Sequence, residues 1–305
     1  MSQTPQWLWI VFAAVLAALL AIDFLSHRGE HAQSKKAALV WSAIWIGVGL
    51  AFGVVVLVAF GADHAVEYYA VYVIEKSLSV DNLFVFYVIF TTLSVPPERQ
   101  RKALLVGIFG ALVFRALFIY GGVAALDRWA FLDFVFGAIL AWAAWRVFRE
   151  DPRADEENRL VSWLSKHVRV TDEHHGGRLF ARVDGKWVAT PIVIAIVGLE
   201  LSDIVFAMDS IPAAFAVTRR PFVIYAANAF AILGLRSLYL VLADSLERYR
   251  YVHYGLAFVL AFAGVKIAIS RWVEIPAYLS VALIVLAIAA SIVPTLIERR
   301  REREA

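Results

Sequence analysis

The sequence has no cysteine and only 2 methionines among its 305 residues. Disulfide frameworks, thiolate metal sites, iron–sulfur clusters and cysteine nucleophiles are therefore excluded. Charge is scarce as well: 18% of residues are Asp, Glu, Lys or Arg, against about 25% in ordinary soluble domains. No phosphate-binding Gly-x-x-x-x-Gly-Lys loop occurs, and neither Asp81 nor Asp209 has the Gly-x-Gly-Asp setting of an intramembrane aspartyl protease. ATP hydrolysis drops out, and the chain reads as a non-enzyme without a resident cofactor.

What remains is apolar. Hydrophobic residues make up 61% of the chain at a mean hydropathy of +0.71, more than a soluble domain can hide. They fall in blocks of the length a helix needs to cross a hydrocarbon core of about 30 Å, and the alternation of a transmembrane barrel is missing. The expectation is an all-α, polytopic transmembrane bundle of nine spans. They lie near residues 7–25, 38–60, 68–94, 103–125, 130–148, 191–217, 222–243, 252–270 and 275–296. Loops after the odd-numbered spans carry 20 Lys and Arg, the opposite loops 4. That bias predicts a cytoplasmic C-terminus and an outside N-terminus. The lipid bilayer is thus a partner; nucleic acid is not expected to be one.

The stretch 149–190 is highly charged, with an apolar pattern near 160–170 that suggests a helix on the inner leaflet. It is too short for a core of its own and reads as a cytoplasmic linker between two similar units, 68–148 and 191–270. Residues 1–67 then hold two peripheral helices, and 271–305 a last span with a basic tail. Placing Asp81 over Asp209 aligns Glu75 with Asp203 and Asn82 with Ser210. In the next spans Arg115 aligns with Arg236, and ILAWAAWR (139–146) matches VLAFAGVK (259–266). Units of three spans must enter the membrane from opposite sides, which predicts a 3+3 inverted repeat with its site at the midplane.

The first helix of each unit carries acids at membrane depth: Glu75 and Asp81, then Glu200, Asp203 and Asp209. Each costs about 2.5–3.5 kcal/mol to insert, so the group is a functional site by default. Six residues turn a helix by about 240°, so Glu75 and Asp81 share no face. One site using both needs an interrupted helix; otherwise two sites exist. Pro212 removes a backbone donor beside Asp209 and predicts a break in that span. Five acids against Lys76, Arg115 and Arg236 leave a balance of −2, the charge a divalent cation neutralises. Carboxylates with the side-chain oxygens of Asn82 and Ser210, and no thiolate or imidazole, suit a hard ion such as Mn2+, Mg2+ or Ca2+. The two arginines read equally as static partners or as movable counter-charges.

These segments carry a resemblance. VIEKSLSVDNLFVF and ELSDIVFAMDSIPAAFAV, with FAILGLR downstream, resemble the two signature segments of the TerC family of integral membrane proteins, in its alkaline-induced, Alx-like branch. The resemblance implies a bacterial inner-membrane protein of the LysE transporter superfamily, linked to manganese export and to tellurium-resistance operons. It places the family's acidic positions at Glu75, Asp81, Asn82, Glu200, Asp203, Asp209 and Ser210. The function expected is export of a hard divalent cation, Mn2+ foremost. The competing expectation is a membrane partner of a tellurium-resistance or envelope redox-stress system.

Other polar groups read as structural. Asp172, Glu173, His174 and His175 fit a solvated loop, and Asp63, His64 and Glu67 an interfacial one. Arg146 and Lys266 are expected to snorkel to the headgroups, and Trp7, Trp9, Trp129 and Trp272 to anchor span edges.

Overall fold

A computed structural model describes residues 4, 6–26, 35–93, 95–129, 131–149, 180–183, 186–242 and 252–269, with further positions between 272 and 293. The helices are α1 (Gln6–Ser26), α2 (Lys35–Phe60), α3 (Ala62–Thr92), α4 (Pro97–Arg128), α5 (Leu132–Arg149), α6 (Pro191–Val217), α7 (Pro221–Ile232), α8 (Leu235–Leu242) and α9 (Val252–Ile269). A shorter α10 covers Ala282–Ser291. Proline fixes φ near its helical value and needs no N–H partner in the first turn, so α4, α6 and α7 all begin on one. Inside the expected linker, β1 (Phe180–Val183) and β2 (Lys186–Ala189) form an antiparallel hairpin, which the charge pattern did not announce. The helix expected near 160–170 and the loop residues Asp172 to His175 lie outside the described residues.

Among the described residues, five helical stretches are long and apolar enough to cross a bilayer: Gln6–Leu25, Lys36–Phe60, Arg99–Arg128, Pro191–Val217 and Pro221–Val241. The 31-residue α3 would run about 46 Å, but Glu75, Lys76 and Asp81 interrupt its apolar run. The surface is inside out relative to a soluble protein. Val58, Ile10 and Leu117 are 84%, 69% and 65% exposed, while Asp23, Glu75, Arg115, Asp133, Asp203, Asn228 and Arg236 are buried. Apolar side chains face lipid and polar ones face each other, as a multi-pass helical membrane protein requires.

Packing follows a reciprocal pattern. Helix α3 packs on α6 and α5 on α9, while α4 packs on α6 and α3 on α7. Exchanging the α3–α5 unit with the α6–α9 unit maps this set of contacts onto itself. Where α5 meets α9, a Cβ added at Gly137 or Gly264 would lie 3.0 Å from the other's carbonyl oxygen. Small residues thus let the two backbones close in, the main way helices bind without a hydrophobic drive. Helix α2 grips α3 through Tyr68 and Tyr69, whose hydroxyls donate to the carbonyls of Gly49 and Leu50 at 2.8 and 2.9 Å.

Two expectations about helix breaks are corrected. Helix α6 runs through Pro212 without interruption, because residues 210–216 around it are all buried and packing holds the helix across one missing hydrogen bond. The break falls instead in the expected span 222–243, between α7 and α8. There Gly234 adopts φ +79°, a conformation that side-chain-bearing residues avoid, and a Cβ on it would collide with Trp45 of α2.

Candidate functional site

The site forms where α3 passes α6. Glu67 near the start of α3 accepts a hydrogen bond from Thr218, just past the end of α6, at 2.9 Å, so the two helices run antiparallel. Helices of equal rise can be counted from that contact. Eight residues along α3, Glu75 comes opposite Asp209 and Ser210 of α6; six further on, Asp81 comes opposite Asp203 and Ile204. The acids of the two helices therefore come at two matching heights about 9 Å apart, although six residues turn either helix by about 240°, so equal height is not a shared face. The side chain of Asp81 lies outside the described residues; its place on α3 does not. Asn82, beside it, is buried.

Arg115 of α4 ties the levels together. Its Nη1 donates to Glu75 Oε2 at 2.6 Å and to Asn228 Oδ1 of α7 at 2.9 Å, while Nε and Nη2 reach the two carboxylate oxygens of Asp203 at 3.2 and 3.0 Å. This is the forked geometry that makes arginine the residue for buried carboxylates. One guanidinium against two carboxylates leaves a formal −1 with all three side chains buried. Around them Glu75 Oε1, Ser210 Oγ, Asn228 Nδ2 and Glu200 Oε2 are buried without a hydrogen-bond partner. Buried polar atoms are nearly always satisfied, so these three oxygens and one amide donor are suited to an ordered water, and the oxygens alone to a cation. Among the described residues no three Asp, Glu or His stand close enough to form a ready-made metal cage.

Glu200, one turn before Asp203, lies against α4, where a Cβ on Gly110 would overlap its carboxylate. Gly110→Ala is accordingly expected to turn the Glu200 carboxylate, the end of a flexible side chain, aside at little cost in stability. A Cβ on Gly121 of the same helix meets open space, so Gly121→Ala is expected to be neutral or slightly stabilising. Thermal unfolding of the two variants in detergent compares them.

The other two expected counter-charges lie elsewhere. Lys76 donates from Nζ to the carbonyls of Ala231 at 3.0 Å and Leu233 at 3.4 Å, groups left without helical partners by the α7–α8 break. Arg236 donates from Nη2 to the carboxylate of Asp23 on α1 at 3.1 Å. Lys266 does not snorkel: its amine donates to Ser280 Oγ at 2.8 Å and is buried, its charge satisfied within the protein. Trp9 joins Phe12, Tyr120, Phe222 and Tyr225 in an aromatic cluster, whereas Trp7, Trp129 and Trp272 are exposed. At the α6–α7 turn Arg220 pairs with Glu67 at 2.8 Å and Arg219 with the buried Asp133. Asp23, Asn228 and Asp133 escaped the sequence reading. The signal for the two acids was available, since each is a lone carboxylate in an otherwise apolar run.

With this geometry in hand, comparison with known proteins places the chain. Residues 60–303 match the model of the integral membrane protein TerC family. The chain belongs to the TerC family. An uncharacterized membrane protein of Myxococcus xanthus is 42% identical over 296 residues, covering 96% of this chain and 93% of its own. A protein of Escherichia coli provisionally named membrane-bound redox modulator Alx is 39% identical over 289 residues, 91% of this chain and 90% of its own. A membrane protein of Rickettsia bellii is 37% identical over 292 residues, 93% and 97% of the respective lengths. No solved structure matches. Both signature segments of this TerC-family chain lie within the matched region, and α1 with nearly all of α2 lies ahead of it.

Proposed function

We propose that this chain is a secondary transporter, not an enzyme, that exports a hard divalent cation, Mn2+ foremost, across the bacterial inner membrane. The observation that carries the reading is a buried network in which one arginine, Arg115, holds an acid from each packing-equivalent unit, Glu75 and Asp203. Glu75, Asp209 and Ser210 supply the oxygens of one level; Asp81, Asn82 and Asp203 supply those of the other, with Glu200 one turn away. Hard oxygens in an incomplete shell suit an ion that must bind and leave again. The reciprocal packing supports nine spans with a 3+3 inverted repeat, in which rocking of one unit against the other exposes the two levels in turn. With no ATP site, the protons that replace the metal on these carboxylates are the coupling ion.

The provisional name of the Escherichia coli relative supports a second reading, a membrane partner of a redox system. Having no cysteine, this chain brings no thiol to such a role. Purified protein in liposomes loaded with a Mn2+-quenched dye separates the two. A transporter quenches the dye when Mn2+ is added and empty liposomes do not; absence of flux at every pH removes the transport reading and leaves the partner.

Topology has its own check on this cysteine-free background. Single cysteines replacing Lys102, which is exposed beside the buried Ala103, and Arg248 are expected to label from the cytoplasm, and those replacing His64 or Ser270 from outside. Labelling of the first two from opposite sides contradicts the inverted repeat.

A further inference from the structure

Arg115 and Arg236 align in the two units, yet their surroundings differ. Arg115 holds Glu75 and covers both carboxylate oxygens of Asp203. Arg236, equally buried, donates to the carboxylate of Asp23 and, at 2.8 Å, to its carbonyl. Asp23 belongs to α1, outside both units. Meanwhile Arg236 and Asp203 line one small cavity of about 20 Å³, together with Gly107, Ile108, Leu199 and Leu235. That is room for one water.

We propose that Arg236 is an exchangeable counter-ion for Asp203, held on Asp23 in the arrangement seen here and crossing this cavity when Arg115 withdraws. The inference rests on the transport reading above and deepens it. Exchanging the units turns Glu75 into Asp203 and Arg115 into Arg236, so the Arg115–Glu75 pair has an Arg236–Asp203 counterpart. That counterpart cannot form while the Arg115 fork occupies Asp203. A buried guanidinium left unpaired meanwhile is strongly disfavoured, and Asp23 supplies the resting partner. Asp23 stands three residues from the end of α1, toward the end of its apolar stretch and not at its middle. The cation and Arg236 then compete for Asp203, and the acid emptied of metal is neutralised by a tethered charge. Asp23 is thus a positioning residue: it sets how often Arg236 is free to compete.

Two readouts on the purified full-length protein test this. The first is Mn2+ affinity by calorimetry. The second, which needs no metal, is the rate at which methyl methanethiosulfonate labels a cysteine replacing Ile108 in the cavity wall. Asp23→Asn frees Arg236, so Mn2+ affinity is expected to fall about tenfold, a typical coupling, and labelling to slow as the guanidinium fills the cavity. Adding Arg236→Gln is expected to reverse both effects, and Asp23→Glu to preserve both wild-type values. The double variant D23R/R236D keeps the ion pair with its charges reversed and is expected to label no more slowly than wild type, since no guanidinium remains to cross. The proposal is overturned if Asp23→Asn leaves labelling unchanged, or if Arg236→Gln adds to the loss instead of reversing it, as a purely structural pair would. A wild type that binds no Mn2+ defeats the transport reading, while the labelling arm still decides the exchange.

Discussion

Arg115→Met is expected to destabilise the protein by about 3–5 kcal/mol, because removing one partner of a buried ionic network leaves the others uncompensated. Here two carboxylates lose their common partner at once, and Asn228 Oδ1 loses its donor. The loss belongs to the stranded charges, not to arginine as such. The triple variant R115M/E75Q/D203N, which neutralises the network, is therefore expected to recover most of it. Arg220→Gln at the half-exposed pair with Glu67 is expected to cost within about 1 kcal/mol, as surface pairs do. Denaturant unfolding of the four proteins in one detergent makes the comparison, and an Arg115→Met loss no larger than that of Arg220→Gln contradicts the buried network.

The second large effect is on transport. Asp81→Asn and Asp209→Asn are each expected to remove all measurable Mn2+ flux while leaving a folded, inserted protein. The amide keeps the shape of the carboxylate and loses its charge, and each variant strips one level of an acid that has no substitute from its own helix. Size-exclusion profiles and unfolding midpoints near those of wild type establish folding; dye quenching in liposomes reads the flux. If either variant transports at the wild-type rate, that aspartate is not a cation ligand.

Much of the fold was legible because the membrane simplifies the physics. The expected span 191–217 coincides with α6 to the residue, since a proline opens it and the apolar run closes it. The break at Gly234 was not legible: hydropathy carries no record of φ, and the glycine is required by the approach of Trp45, a contact between residues far apart in sequence. Pro212 misled for the converse reason, because its local penalty is outweighed by burial of the turn beyond it. For the site, the choice between one interrupted helix and two separate positions turned on α3, which proved unbroken. What the residues alone could not convey was the packing of α3, α4 and α6, which brings Glu75 and Asp203 within reach of one guanidinium. Asp23 was missed because a window of about 19 residues reads a single acid near its end as the end itself.

The most direct test of the transport account is uphill movement. Purified protein is reconstituted in liposomes with equal Mn2+ on both sides, and an inward or outward pH gradient is imposed. The account predicts that Mn2+ accumulates on the side from which protons depart, that a protonophore abolishes the accumulation, and that Asp209→Asn shows none. Accumulation that persists after the proton gradient has been fully dissipated, or no Mn2+ movement at all, would contradict it.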